Sequence, residues 1–252
     1  MTSDRELRAL LKGVEGVLFD FDGPICHLFS PERAAPWVTD RLHDFITGKG
    51  LPELRPQKKN SPIDVLREAA ERWPDSRDVE LLEAKLASLE TESAPGATQT
   101  EGVADLIRAF SYYRVPVAVT TNNSETAVHA HLRARKLQAM FRHHVYGRQV
   151  MSEGHALLLK PHPSCINRAV AGLRGPRPDR CLMIGDSSAD VRAAREAGVR
   201  FLGFVNPHVD DNQGLTEDFP EVPAVLDLRR VRSAWLEVAP EGGVPPVTDG
   251  NI

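Results

Sequence analysis

Two aspartates one residue apart, Asp20 and Asp22, follow an apolar segment and belong to the motif DFDG at residues 20–23. Along an extended chain, residues i and i+2 face the same side, so both carboxylates can address one ligand while Phe21 points away. Like charges at this spacing repel each other, and their burial is costly unless a proton or a positive charge offsets them. The pair therefore predicts a cationic partner in the same site.

Other polar side chains follow further predicted strands, namely Thr121, Asn122, Lys160, Asp186 and, one helical turn later, Asp190. In an open parallel sheet, ligands bind at the carboxyl ends of the strands. Carboxylates that converge there form a site suited to Mg²⁺, which commonly keeps waters and a substrate phosphate oxygen as ligands. Lys160 and the Thr121 hydroxyl supply the positive charge and the hydrogen-bond donor that a phosphate group needs.

The strands that would position these residues are short apolar runs bounded by turn residues or charges. They lie at residues 16–20, 115–120, 181–185 and 201–205, with a weaker one at 224–228, and the run LLL at 157–159 is interpreted as the strand before Lys160. Helical patterns separate them, at residues 103–110, 124–137, 163–173 and 188–197. This alternation predicts an α/β fold with a parallel sheet and helices on both faces.

The segment between Asp22 and the strand at 115–120 is far longer than the roughly 30 residues of a βαβ unit. Three apolar stripes at helical spacing fill this interval, and Ser61-Pro62 provides the cap and first turn of the second. We predict a catalytic core formed by residues 1–27 and 99–239, a small all-helical domain at 28–98, and a disordered tail at 240–252.

The composition narrows the class of protein. The chain has 252 residues, a net charge of −4 and a pI near 6.1, so it has no excess of positive charge for a nucleic acid or an anionic membrane. The apolar run at 16–19 is too short for a signal or membrane segment. Three cysteines without a CxxC pair indicate free thiols in a reducing compartment, so we predict a cytoplasmic protein.

Four motifs, in order along the chain, resemble those of the haloacid dehalogenase-like (HAD) superfamily. They are DFDG at 20–23, a strand followed by Thr-Asn at 117–122, KPHP at 160–163, and GDSSADVRAAREAGV at 185–199. The resemblance implies a Rossmann-like parallel sheet core with a small helical cap domain inserted after the first motif. It also implies a Mg²⁺-dependent phosphatase that acts on a small phosphorylated metabolite through an aspartyl-phosphate intermediate.

The resemblance also implies a role for each matching residue. Asp20 would be the nucleophile, and Asp22 would protonate the leaving oxygen and then activate water. Mg²⁺ would be held by Asp20, the backbone carbonyl of Asp22 and Asp186, with Asp190 supporting the metal site. The phosphoryl oxygens would be bound by Thr121, Lys160, Asn122 and nearby backbone amides, including that of Gly23.

Two features depart from the family pattern. Pro24 stands where many relatives have Thr or another small residue, and a proline removes one backbone donor from the loop around the nucleophile. The tandem Thr120-Thr121 leaves the register of the second motif ambiguous, although the following Asn122 favours Thr121.

Several residues also have structural interpretations. Asp190 lies three residues after Ser187, which is the capping-box position at a helix start, and both roles can hold together. Lysines are mostly solvated, so Lys160 gains its functional interpretation only from its place among the motifs. Cys26 and His27 follow the first motif closely, but we interpret them as structural.

Other functions remain in competition. A phosphosugar mutase would hand the phosphoryl group to a sugar hydroxyl, and a phosphonate hydrolase would need a cap lysine such as Lys49, Lys58 or Lys59. Arg55, Lys58 and Lys59 could meet an anionic substrate, although a solvated charge cluster is the favoured interpretation.

Three further classes fit less well. A dehalogenase has no need of Asp22, and a receiver-like signalling domain predicts a chain half this long. The presence of both aspartates favours an enzyme over a catalytically silent phosphate-ligand binding module, although Pro24 keeps that alternative open. The sequence does not identify the substrate, and it leaves a monomer or a homodimer open.

Overall fold

The computed structural model describes residues 1–29, 35–54, 61–74, 76–150, 157–205 and 215–241. Its strands, in chain order, are β1 (Gly16–Phe19), β2 (Cys26–His27), β3 (Thr98–Gln99), β4 (Val117–Thr120), β5 (Val145–Tyr146), β6 (Gln149–Val150), β7 (Leu157–Leu158), β8 (Cys181–Gly185), β9 (Arg200–Phe204) and β10 (Ala224–Val225). Six of them form one parallel sheet in the order β10-β9-β8-β1-β4-β5.

The described helices, in chain order, are α1 (Asp4–Leu11), α2 (Ala35–Gly48), α3 (Pro62–Arg72), α4 (Arg77–Ser93), α5 (Val103–Tyr112), α6 (Glu125–Ala134), α7 (Gln138–Phe141), α8 (Ser164–Leu173), α9 (Ser188–Glu196), α10 (Leu215–Asp218) and α11 (Leu228–Val238). Short 3₁₀ turns lie at Ala94–Gly96 and Pro178–Arg180.

Both faces of the sheet are covered, which explains why its strands are apolar throughout. Val17 and Phe19 of β1 point into a cluster that includes α1, α5, α6 and α11. Leu18, between them, points into a second cluster that includes α8 and α9. The predicted α/β fold, a Rossmann-like parallel sheet between two helical layers, is therefore confirmed.

The strand expected before Lys160 lies elsewhere, and its predicted place in the central sheet is wrong. β7 pairs antiparallel with β6 in a separate two-stranded hairpin. The reason is packing, because Leu157 contacts the apolar cluster of α2, α3 and α4 rather than the core of the sheet. Lys160 therefore reaches the sheet edge from outside it.

The inserted segment folds into three packed helices, α2, α3 and α4, which we call the insert helices. Their shared apolar cluster is buried and includes Val38, Leu42, Val65, Leu66, Leu82 and Leu86. Ser61 and Ser76 cap the starts of α3 and α4 by accepting a hydrogen bond from a first-turn amide. Where the chain leaves and re-enters the core, β2 and β3 pair antiparallel.

Some predictions fall on residues outside the described ranges. These are Arg55, Lys58 and Lys59, and the tail from residue 242 onward. Cys26, Cys165 and Cys181 are buried and unpaired. Within the described ranges, no helix combines the length and apolar character needed to cross a bilayer.

Candidate active site

Three carboxylates meet at the carboxyl ends of β1 and β8. These strands pair in parallel, so Asp20, which follows β1, lies beside Asp186, which follows β8. Asp190 joins them from the first turn of α9. One oxygen of each carboxylate lies within 4.8 Å of the others.

Lys160 is the cation of this cluster, and its side chain is only 2% exposed. Its Nζ lies 2.9 Å from Asp20 Oδ1 and 2.5 Å from Asp190 Oδ1, and it donates to the carbonyl of Thr120 at 3.1 Å. Asn122 fixes the lysine backbone, because Asn122 Oδ1 accepts from Lys160 N at 2.7 Å and Nδ2 donates to Lys160 O at 3.2 Å. The Asn122 side chain thus pairs with the backbone of Lys160 as a neighbouring strand would in a sheet.

Asp190 combines a structural and an electrostatic role. It forms the predicted capping box with Ser187, whose amide and hydroxyl donate to Asp190 Oδ2 at 3.1 and 2.8 Å. The amide of Asp186 donates to the same oxygen at 3.2 Å. Since Oδ1 faces Lys160, both oxygens of Asp190 are engaged, and the start of α9 is tied to the lysine.

Two of the clustered carboxyl groups have raised pKa values, because they are buried and the single Lys160 charge only partly offsets their burial. Burial, and then the charge of Asp190, raise the pKa of Asp20 to about 7, although Lys160 opposes them. Burial, followed by the charges of Asp20 and Asp190, raises the pKa of Asp186 well above its ordinary value. Asp186 Oδ1 is buried and has no hydrogen-bond partner among the described residues. Three carboxylates facing one lysine could hold a hard divalent cation.

Asp22 stands apart from the other carboxylates. Its Oδ1 accepts from Leu28 N at 3.0 Å, and its side chain lines the cavity described below. Burial raises its pKa, and the hydrogen bond from Leu28 opposes the shift only partly. The cluster of carboxylates within 4.8 Å of one another does not include Asp22.

Gly23 shapes the loop after Asp22. Its φ of +100° is a conformation that L side chains rarely adopt, and an added Cβ would overlap Asp186 Oδ2. Its amide donates to the carbonyl of Cys26 at 2.7 Å. This differs from the predicted role of that amide as a phosphate donor, because the turn that contains Pro24 already uses it.

The second motif places Thr121, and not Thr120, on the cavity. Thr121 Oγ1 donates to Asn123 Oδ1 at 2.9 Å and accepts from Asn123 N at 3.1 Å. Thr120 is fully buried in β4. This arrangement agrees with the register that the sequence favoured.

A cavity of about 690 Å³ lies between the carboxylate cluster and the insert helices. Its core side includes Asp20, Asp22, Thr121, Asn122, Lys160 and Ser187, and its insert side includes Ser61, Asp64, Arg67 and Glu90. Arg67 and Glu90 are not among the residues that the motifs predict. Glu90 could have been found from its spacing, because a charged residue one turn after Leu86 falls on the buried face of α4.

The fold and the site define a class: an α/β protein with a Rossmann-like parallel sheet, whose acidic and basic residues meet at the strand ends below inserted helices. The family model for haloacid dehalogenase-like hydrolases matches residues 17–204, and the chain belongs to this family. Its curated relatives are phosphatases. A phosphoglycolate phosphatase of Pectobacterium atrosepticum is 26% identical over 228 residues, which cover 87% of this chain and 91% of the relative. Phosphoglycolate phosphatase 1 of Pseudomonas aeruginosa is 30% identical over 192 residues, which cover 73% and 66%.

Solved structures share the fold. A HAD family hydrolase from Deinococcus radiodurans, with bound phosphate and sodium, has a TM-score of 0.58 at 24% identity and covers 90% of this chain and 97% of its own. CbbY from Rhodobacter sphaeroides, in complex with xylulose-1,5-bisphosphate, has a TM-score of 0.61 at 18% identity and covers 84% and 93%. Family and relatives together make this chain a phosphoric monoester hydrolase.

Proposed function

We propose that the chain is a Mg²⁺-dependent phosphatase that hydrolyses a small phosphomonoester through an aspartyl-phosphate on Asp20. The observation that carries the proposal is Lys160, held 2.9 Å from Asp20 inside a buried acidic cluster beside a cavity that the insert helices help to line. Phosphoryl transfer depends chiefly on positioning and charge neutralisation, and this arrangement supplies both.

The residues present fit a magnesium ion. Asp186 Oδ1 is buried without a partner among the described residues, and one lysine faces three carboxylates. Asp20, Asp186 and the carbonyl of Asp22 would hold the ion, while Asp190, whose two oxygens are already engaged, would orient Lys160 and the start of α9. When bound, the ion would neutralise negative charge on the transferring phosphoryl group.

Asp20 is arranged as a nucleophile. Phe21 N donates to Asp20 Oδ1 at 2.7 Å, and Lys160 contacts the same oxygen. These contacts on Oδ1 support a fixed carboxylate whose Oδ2 would attack phosphorus, which breaks the ester P–O bond and forms the aspartyl-phosphate.

Asp22 then serves both half-reactions. Its raised pKa favours the protonated form that gives a proton to the leaving oxygen. The resulting carboxylate accepts a proton from water, whose oxygen attacks the phosphorus, releases inorganic phosphate and regenerates Asp20. Thr121 and Lys160 would bind the phosphoryl oxygens, with the Thr121 hydroxyl turning from Asn123 to the substrate.

The insert side of the cavity supports a substrate with a second anionic group. Among the described residues that line the cavity, Arg67 is the cation that the insert helices contribute. It contacts Asp64 of the same helix, so a substrate carboxylate would exchange with that side chain. Because curated relatives are phosphoglycolate phosphatases, phosphoglycolate is the first substrate to test. We propose that residues 28–98 act as a cap that selects it.

The alternative of phosphonate cleavage has less support. Lys160 is the lysine among the described residues lining the cavity, and it comes from the core. Lys49, directly after α2, lies over the ring of Phe45 at 5.7 Å. The predicted cytoplasmic location stays part of the proposal, supported by three buried, unpaired cysteines.

The test is release of phosphate from phosphoglycolate and from p-nitrophenyl phosphate, with Mg²⁺ and with EDTA. We expect metal-dependent turnover that Asp20→Asn abolishes. Asp105→Asn is the matched control, because Asp105 pairs with Arg108 on the exposed surface of α5. Turnover that survives in Asp20→Asn, or that needs no metal, would contradict the proposal.

A further inference from the structure

A buried ion pair joins insert helix α4 to the core. Arg148, between β5 and β6, donates from Nη1 to both carboxylate oxygens of Glu90 at 2.7 and 2.9 Å. The Glu90 and Arg148 side chains are 1% and 0% exposed. Burying two charges costs desolvation energy that the pairing repays only when further hydrogen bonds complete the geometry.

Apart from one contact of Arg148 with Glu83, the further hydrogen bonds of the two side chains go to one loop of the site, residues 122–124. Arg148 Nη1 donates to Asn122 O at 3.0 Å. Glu90 Oε1 accepts from Asn123 Nδ2 at 3.1 Å, and Oε2 accepts from Ser124 N at 2.9 Å. Each of the three consecutive loop residues is therefore held by the ion pair.

The same loop holds two groups that face the substrate cavity. Asn122 binds the backbone of Lys160 on both sides, and Asn123 exchanges two hydrogen bonds with Thr121. A displacement of the loop would therefore move both Lys160 and the Thr121 hydroxyl. The chain of contacts runs from α4 through the ion pair to the phosphate-binding side chains.

We propose that Glu90 and Arg148 are positioning residues that set residues 122–124, and through them Thr121 and Lys160, for phosphoryl transfer. This inference rests on the proposed phosphatase function and adds two positioning residues to it. Since Glu90 belongs to an insert helix, the phosphate-binding loop is complete only when α4 is seated on the core.

Glu83 separates this proposal from simple anchoring of the insert helices. It lies two turns before Glu90 on the same helix, and its Oε1 accepts from Arg148 Nε at 2.9 Å. None of the hydrogen bonds found among the described residues joins Glu83 to residues 122–124. The two glutamates share helix, partner and chemistry, and they differ in contact with the loop.

The experiment compares Glu90→Gln with Glu83→Gln in the full chain, using Mg²⁺ and p-nitrophenyl phosphate. We expect Glu90→Gln to lower kcat on the order of 10²-fold, with a smaller change in KM, because the misplaced groups act mainly in the transition state. Glu83→Gln should leave kcat unchanged. Equal effects of the two variants on kcat would overturn the proposal.

A double variant tests the proposal even if Glu90→Gln fails to fold. Glu90→Leu with Arg148→Met removes both charges, and apolar replacement of a whole buried pair is often neutral for stability. We expect cooperative unfolding near the wild-type Tm, faster hydrogen exchange at the Ser124 amide, and lowered kcat. A folded double variant with wild-type kcat would overturn the proposal.

Failure of the proposed function is distinguishable from failure of this inference. If the wild type hydrolyses no phosphomonoester, the proposed function fails. Hydrogen exchange at Ser124 and titration with inorganic phosphate and Mg²⁺ then test the positioning directly. Faster exchange and weaker phosphate binding in Glu90→Gln but not in Glu83→Gln would support it, and wild-type values in both variants would overturn it.

Discussion

Lys160 Nζ lies 2.5 Å from Asp190 Oδ1, and both side chains are buried. Asp190 reaches this position as the third residue of α9, where it forms a capping box with Ser187 and binds it through its other oxygen. The same ammonium group contacts Asp20 after β1. One buried cation therefore connects the end of β1 with the start of α9.

We predict that Lys160→Met damages both activity and stability. The phosphoryl group loses its cationic partner, which lowers kcat by about 10²- to 10³-fold. The carboxylates lose their counter-charge, and breaking a buried pair costs about 3–5 kcal/mol of the free energy of unfolding. Steady-state kinetics and thermal unfolding with and without Mg²⁺ check this, and Mg²⁺ should recover part of the lost Tm. Lys12→Met, at an exposed position, is the control. Wild-type turnover in Lys160→Met would contradict the role of the lysine.

Asp22→Asn should stop catalysis and leave the metal site intact. Its carboxylate is not part of the three-carboxylate cluster. It accepts a hydrogen bond from Leu28 N, and the side-chain oxygen of an asparagine can accept the same bond. Losing a general acid typically costs 10²- to 10⁴-fold in rate. The loss in kcat/KM, which reports formation of the aspartyl-phosphate, should be smaller for p-nitrophenyl phosphate than for phosphoglycolate, because nitrophenolate leaves without protonation. Hydrolysis of the shared aspartyl-phosphate should slow equally for both substrates. Titration with Mg²⁺ should give the wild-type affinity, and a large drop would assign the carboxylate to the metal instead.

Gly23→Ala is expected to inactivate the protein through geometry alone. The residue has φ of +100°, and a Cβ there would overlap Asp186 Oδ2. A non-glycine residue in such a conformation costs about 1–2 kcal/mol, and Asp186 must also move. Loss of turnover together with weaker Mg²⁺ binding checks this. Gly48→Ala is the matched control, since its Cβ would meet nothing within 4 Å. Equal behaviour of the two variants would contradict the prediction.

The sequence sufficed where information is local. Asp20 and Asp186 could be placed because each follows a contiguous apolar run, and a run buried on both faces identifies a strand of a parallel sheet. Asp190 could be placed because a capping box is a pattern of neighbouring residues.

The rest depends on contacts between distant segments. Lys160 lies near the site, but its path could not be predicted, since Leu157 packs against the insert helices and Asn122 replaces the missing strand contact. Glu90 was missed because its partner Arg148 is 58 residues away. Periodicity places Glu90 on the apolar face with Leu82 and Leu86. It does not reveal the buried cation that pairs with the glutamate there, because only the fold brings Arg148 to it.

Arg67→Met should change which substrate is preferred. If Arg67 binds a second anionic group, kcat/KM for phosphoglycolate should fall by at least tenfold, in line with a lost charge-assisted hydrogen bond of about 1.5–3 kcal/mol. Turnover of p-nitrophenyl phosphate, which lacks that group, should be unaffected. Arg72→Met is the control, because Arg72 lies on the same helix, pairs with Glu68 and is absent from the cavity lining. Parallel losses on both substrates would remove Arg67 from substrate recognition.

His131 makes stability sensitive to acid. The side chain is fully buried, its Nδ1 lies 3.1 Å from Ala94 O, and its ring meets Phe21 edge-on at 5.5 Å. Burial, more than the charge of Arg135, lowers the pKa of His131 below its ordinary value of 6.5, against the opposing hydrogen bond to Ala94. As the pH falls, the unfolded chain takes up this proton before the folded chain does. The stabilising contribution of neutral His131 is therefore full above about pH 6.5 and is lost as the pH drops towards the folded-state pKa.

The comparison of wild type with His131→Gln isolates this contribution from the raised carboxylate pKa values, which act on both proteins alike. Glutamine can still donate to Ala94 O but carries no titrating proton. We expect urea unfolding to show a larger loss of free energy between pH 7.5 and pH 5.5 in the wild type than in His131→Gln. His143→Gln, at an exposed position, should follow the wild type. Parallel curves for wild type and His131→Gln would mean that the buried imidazole accepts its proton without disturbing the junction between Ala94 and the core.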